Sequence, residues 1–453
     1  MKNAVAYLQE HRREHLDWTV ELCRIPSVST RPEHKQDVAN AVRWTHELCQ
    51  RIGLQSRMME TGGHPLVFAE WCNAPNQPTI LVYGHVDVQP TGDLKLWDAD
   101  PFTPTPQGDW LICRGSSDDK GQVLLYLRAA AAWLATAKRL PINVKLLIEA
   151  EEEIGSPNLP RFIEQNKDML RCDEIVISDT GMYEDGWPTV THGTRGLVYK
   201  EIALSGPRHD LHSGTHGGAV ANPTIVLCEI IASLHDANGR VTIPGFYDKV
   251  VDPSAEERKL GASLPFDESK YVADLGSPAP HGEKGFTTNE RRTCRPTLDT
   301  NGIFGGFSGP GANTIIPAKA GAKVSMRLVP NQSGEEIGAL FDKTIRERCP
   351  NTVRLEIHNH GVADPYMFPL DAPSIGAAKR ALHESFSRDP AFIREGGSLP
   401  ILPMFKRVLG VDSLMLGFAS PYCNAHGPNE KVRIPDLDRG AESIARLLGY
   451  LAR

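Results

Sequence analysis

The chain has 453 residues, 40% hydrophobic and 23% charged, with a formal net charge of -7. That length exceeds one hydrophobic core and predicts two domains of an ordinary globular protein. The acidic balance excludes the basic footprint of a nucleic-acid binder, and no apolar stretch is long enough to span a bilayer.

The apolar run Ile80-Leu81-Val82-Tyr83, bounded by Pro78 and Gly84, predicts a buried parallel strand. Residues two apart in an extended chain point the same way, so His85 and Asp87 project together beyond its carboxyl end. Open α/β sheets build their sites there. Taken alone, His-x-Asp marks a polar turn after a strand more often than a metal site. After a Pro/Trp-rich loop, Gly121 to Arg139 predicts a helix, with Asp118 in the turn that opens it. An acid there is either an ordinary first-turn residue or a ligand. Ile142 to Ile148 predicts a second strand. It is followed by Glu149, Glu151, Glu152 and Glu153, which read as a solvated loop or as carboxylates gathered around a cation. Pro157 to Asn166 predicts a helix, and Glu174 to Ser178 a third strand ending at Asp179. The βαβαβ rhythm implies a parallel sheet with right-handed crossovers.

Beyond Asp179 the texture changes. Val198 to Leu204 and Ala322 to Leu328 predict strands, while Pro223 to His235 and Gly334 to Arg348 predict helices. Strands with helices on one face imply an α+β insert. Residues 236–300 read as loop, long enough to wrap or line something. The glycine-rich stretch 309–314 lacks the Gly-Lys-Ser/Thr of a phosphate loop. From Ala372 the α/β texture returns, with a helix over 372–386, a strand from Ser413 to Phe418 and a final helix from Leu437 to Leu451. His426 follows that strand. The expected organisation is a mostly parallel α/β sheet domain, residues 1–190 and 366–453, interrupted by an α+β dimerisation or lid domain over 191–365.

Each expected sheet strand thus delivers an acid or histidine to one rim. The set is His85, Asp118, Glu153, Asp179 and His426, with Asp87 behind His85 and Glu152 to spare. Two histidines and three carboxylates suit two borderline first-row cations, zinc first, manganese or cobalt as alternatives. Nine cysteines, odd in number and without a C-x-x-C pair, argue against a disulfide framework and fit a reducing, cytoplasmic location. The first residues lack the apolar core of a signal peptide.

These motifs resemble the dinuclear zinc metallopeptidases that include carnosinase, aminoacylase and succinyl-diaminopimelate desuccinylase, most closely the carnosinase-like dipeptidases. The resemblance runs through Gly84-His85-Val86-Asp87, Arg114-Gly115 to Lys120-Gly121, Glu152-Glu153-Ile154-Gly155-Ser156 and His192-Gly193-Thr194-Arg195-Gly196. It continues through Asp210-Leu211-His212-Ser213-Gly214, Arg327-Leu328-Val329-Pro330, Arg394-Glu395-Gly396-Gly397-Ser398 and His426-Gly427-Pro428-Asn429-Glu430. It implies a catalytic domain of zinc-exopeptidase type. His85 and Asp179 would hold one metal, Glu153 and His426 the other, with Asp118 bridging and Asp87 orienting His85. A hydroxide bridging the metals would attack the peptide carbonyl, with Glu152 as general base. His212 would reach across a homodimer to stabilise the oxyanion, and Arg327 would pair with the substrate's terminal carboxylate, beside His360, Gly397 and Ser398. The implied substrate is a dipeptide or similar small peptide. An N-acyl-amino-acid deacylase or desuccinylase is the alternative within the family. From other classes, the rivals are a metal-stabilised scaffold without activity and a cysteine hydrolase using Cys23, Cys113 or Cys423.

Overall fold

Short β-branched runs alternating with amphipathic helices produce the main sheet. The computed structural model describes residues 1–453 and divides them into two units. The first unit comprises Met1–His192, Phe368–Ile393 and Met404–Arg453. Its sheet runs Gln55–Met59, Leu66–Trp71, Asn143–Glu149, Thr79–His85, Glu174–Ile177, Ser413–Gly417 and Thr189–Thr194. The four strands from Asn143–Glu149 to Ser413–Gly417 are mutually parallel. Both flanks are antiparallel, so the sheet is mixed, with its parallel character confined to the centre. Register sets His85 opposite Glu149 and Tyr83 opposite Ile177. The carboxyl ends of adjacent strands are thereby aligned.

Helix Lys120–Ala137 packs against the C-terminal helix Ile434–Leu451 and the N-terminal helices Lys2–Glu10 and Arg12–Cys23. Its first three and a half turns are buried on every side, consistent with its Leu/Ala composition. It ends at Lys138 in the left-handed region. No helix is long and apolar enough to cross a membrane.

The second unit comprises Gly193–Met367 and Arg394–Pro403. Its antiparallel sheet runs Thr297–Gly305, Lys319–Leu328, Gly196–Ser205 and Arg354–Ala363. Strand Gly196–Ser205 alternates buried and partly exposed residues, the period-2 pattern of a sheet covered on one face. Helices Pro223–Ala232 and Gly334–Arg348 supply the cover, and Val198, Ile202, Val226, Ile230, Val324 and Phe341 form its core. Residues 394–403, placed with the interrupted domain on sequence, belong to this unit. Arg195 holds the Gly396 and Gly397 carbonyls, and Arg394 pairs with Glu257.

The loop expected over 236–300 contains three short helices, Ala255–Ala262, Glu268–Asp274 and Thr288–Thr293. Two open with reciprocal capping boxes, Ser254 with Glu257 and Thr287 with Glu290. The S/T-x-x-E spacing is visible in the sequence and is the signal that would have found them.

Candidate metal centre

The parallel strands and the segments after them bring together four donor side chains of the first unit, and the loop that opens helix Lys120–Ala137 supplies the fifth, Asp118. His85 ends its strand fully buried. Its Nε2 lies 3.1 Å from Asp118 Oδ1 and 3.9 Å from Asp179 Oδ2. His426 Nε2 lies 2.9 Å from Asp118 Oδ2 and 3.3 Å from Glu153 Oε2. The donors fall into two groups, His85/Asp118/Asp179 and Asp118/Glu153/His426, with donor atoms in each within 4.8 Å of one another. Asp118 is common to both and turns a different oxygen to each histidine.

The electrostatics are those of an anionic cavity. Burial, and then the charge of Asp118, push Asp179 well above the usual carboxylate range. Hydrogen bonding to Asp118 and Glu153 raises His426 to about 10. Burial would raise Asp118, but hydrogen bonds from His426 and His85 outweigh it and hold the carboxyl low. Carboxylates crowded at this spacing need positive charge between them. The mixed nitrogen and oxygen donor set fits first-row divalent ions.

Asp87 is fully buried and does more than the sequence predicts. His85 Nδ1 lies 3.1 Å from its main-chain oxygen and 3.4 Å from its Oδ1. Its carboxylate also accepts the N–H groups of Glu152 at 3.3 Å and Glu153 at 3.1 Å, and the Ser29 hydroxyl at 2.6 Å. A single carboxylate therefore supports His85 and anchors the 3-10 turn Glu152–Ile154. Gln89 Nε2 donates to Glu153 Oε2 at 2.8 Å. Burial, followed by the field of the neighbouring carboxylates Glu153, Asp87 and Asp118, pushes Glu152 up to about 7. An acid titrating there can both take and return a proton near neutrality.

The remaining predicted residues lie in the second unit. His212 is exposed, and its Nδ1 accepts the Gly214 N–H at 3.0 Å, which puts the ring proton on Nε2. Arg327 Nη1 donates to Ser398 Oγ at 3.0 Å. Gly397 accepts from the Arg195 N–H at 3.0 Å. Arg327, Gly397 and Ser398 are thus gathered at one turn. His360 stands apart from that turn. At a register shift on strand Arg354–Ala363, it pairs with Glu201 at 2.9 Å and tilts over Tyr199.

Two of the three candidate nucleophilic cysteines, Cys113 and Cys423, are held as thiols. Hydrogen bonding to Cys23 and burial push the Cys113 thiol far up, and burial raises Cys423. Both effects oppose formation of the thiolate nucleophile.

A mixed sheet with a parallel centre, an acid-rich rim completed by two histidines, and an inserted α+β unit define a metal-dependent hydrolase. Residues 81–450 match peptidase family M20/M25/M40, and the chain belongs to that family. It is a metallopeptidase of the carnosinase-like dipeptidase branch. It is 31% identical to the Cys-Gly metallodipeptidase DUG1 of Candida albicans, over 98% of this chain and 96% of that protein. Identity to the human Beta-Ala-His dipeptidase is 29%, covering 100% and 93%. Among solved structures, the metallo-carboxypeptidase Sso-CP2 of Sulfolobus solfataricus superposes with a TM-score of 0.85 at 32% identity, covering 97% of this chain and 99% of that one.

Proposed function

We propose that this chain hydrolyses dipeptides with a free carboxylate at a two-metal centre, zinc first among the candidate ions. His85 and Asp179 would hold one ion, Glu153 and His426 the other, with Asp118 shared. The observation carrying this reading is the division of the Asp118 carboxylate, with Oδ1 3.1 Å from His85 and Oδ2 2.9 Å from His426. Two divalent ions bound there would supply Lewis acidity to the substrate carbonyl and to water.

The chain's own groups have distinct tasks. Glu152 takes a proton from the attacking water and returns it to the leaving amine. Asp87 holds the Glu152 turn and His85 in place. His212, with its proton on Nε2, donates to the developing oxyanion from the partner subunit of a homodimer. Arg327 meets the substrate carboxylate with a planar pair of donors, beside Ser398 and Gly397. The relatives named as dipeptidases support the substrate class. An uncovered sheet edge supports the dimer: strand Thr297–Gly305 and the residues after it expose Ile303 by 57%, Phe304 by 48% and Phe307 by 46%. An apolar strand edge of that kind is rarely left open to water.

The test is a panel of dipeptides and N-acyl amino acids offered to wild type and to Glu152→Gln. Wild type should cleave dipeptides. Glu152→Gln should bind metal while losing about 10²–10⁴-fold in kcat. Turnover restricted to N-acyl amino acids would move the assignment to a deacylase.

A further inference from the structure

Behind the donor cluster, in the same unit, lies a buried ion pair to which the reaction assigns no task. Glu430 is 0% exposed and Arg114 1%. The Glu430 carboxylate has its acceptor positions filled. Oε2 accepts Arg114 Nη1 at 2.8 Å and the Gly115 N–H at 2.9 Å; Oε1 accepts the N–H groups of Ser117 at 2.9 Å and Asp118 at 3.1 Å. Arg114 Nη2 extends the network to the carbonyls of Pro90 at 3.2 Å and Gly427 at 3.1 Å. Three segments therefore meet at one pair: the loop leaving His85 and Asp87, the loop carrying Asp118, and the loop carrying His426.

Taking two charges out of water is costly, and an apolar pair of similar volume would pack the space at no such cost. What an apolar pair could not do is bind three backbone N–H groups and two carbonyls at once. Two of these contacts bear directly on donors. The Asp118 N–H is held from behind while its two oxygens face the two histidines. The Gly427 carbonyl follows His426, whose φ of 60° places a non-glycine residue in the left-handed region. A backbone in that region persists when its surroundings hold it there.

We propose that Arg114 and Glu430 are positioning residues that set the spacing between Asp118 and His426, and with it the affinity of the centre for its second metal ion. This inference rests on the two-metal reading above. Residues that orient ligands from behind typically govern about 10–100-fold in metal affinity.

The experiment titrates metal-stripped full-length protein with zinc against a chromophoric competitor, reading stoichiometry and both affinities, with the metal-free Tm measured alongside. Four proteins are compared: wild type, Arg114→Lys, Glu430→Gln and Arg128→Lys. Lysine keeps the charge beside Glu430 but lacks the planar fork that spans Pro90 and Gly427. Arg128 is an equally buried arginine tied to the His15 carbonyl and Thr19, away from the donors, and serves as the structural control. Arg114→Lys and Glu430→Gln should weaken the second equivalent by about tenfold or more. Arg128→Lys should lower Tm and leave both affinities at wild-type values. Wild-type zinc affinity in folded Arg114→Lys would overturn the proposal, as would an equal loss in Arg128→Lys. If Glu430→Gln is not recovered folded, Arg114→Lys decides alone. A wild type that binds fewer than two ions counts instead against the two-metal reading.

Discussion

At the residue scale, Asp87 carries the most consequence for its size. It spends one carboxylate on Ser29, Glu152 and Glu153 while its main chain meets His85. Removing that carboxylate leaves two turn N–H groups unpaired in a buried place, at a cost of about 1–3 kcal/mol each. Asp87→Ala should therefore weaken metal binding by about 10–100-fold and lower kcat as well, because the ligand Glu153 and the base Glu152 hang from the same anchor. Ser29→Ala should reproduce only a small part of that loss. Calorimetric metal titration and steady-state kinetics on both variants check this. A drop in kcat with untouched metal affinity would separate the two roles assigned to Asp87.

How much of this was legible in the sequence depended on whether a residue sits at the end of a predicted element. His85, Glu153, Asp179 and His426 could be gathered because each lies at or beyond a predicted strand end, and Asp118 because it sits in the turn that opens a predicted helix. Ser29, Arg114 and Glu430 could not. Ser29 reaches Asp87 across 58 residues, and Glu430 reaches Asp118 across 312, with no periodicity to announce either contact. Glu430 closes the motif that begins at His426, but its task appears only in the fold, where the Asp118 loop lies over it.

At the element scale, strand Glu174–Ile177 and helix Pro373–Phe386 meet through one hydrogen bond, from Ser374 Oγ to Glu174 Oε1 at 2.5 Å. Burial pushes Glu174 from 4.5 up to about 7, with a smaller contribution from Asp412. The folded state therefore binds this proton more tightly than the unfolded chain does. The resulting stability is fully present below pH 4.5 and is lost as pH rises through 7. Glu174→Gln keeps an acceptor for Ser374 and removes the charge. The variant should melt a few degrees above wild type at pH 8 and draw level near pH 5, a gap of about 1–3 kcal/mol. Thermal melts across that range check the sign; a wild type that stabilises relative to the variant as pH rises would reverse it. The short helices of 255–293 teach a related lesson. They lack a buried face long enough to show periodicity, so their N-caps were the only local signal: capping boxes in two and the Asp267 side chain in the third.

At the scale of the whole molecule, the proposed mechanism requires two copies of the chain. Replacing Ile303 and Phe304 on the exposed strand edge with lysine should leave each unit folded and yield a monomer by sedimentation. That monomer should have lost most activity together with the partner's His212. A mixture of Glu152→Gln and His212→Ala chains, each inactive alone, should recover activity as mixed dimers form, because one of the two sites then has both groups. Failure to recover would return His212 to its own subunit or to a structural role in its capped turn.

The central claim is that the cluster around Asp118 is a two-metal hydrolytic centre, and metal content read against activity tests it most directly. Protein stripped by a chelator should be inactive on dipeptides. Stepwise zinc addition should restore turnover, with full activity at two equivalents per chain and none recovered by His85→Ala or His426→Ala. Full dipeptide hydrolysis by protein shown to be metal-free would contradict the account.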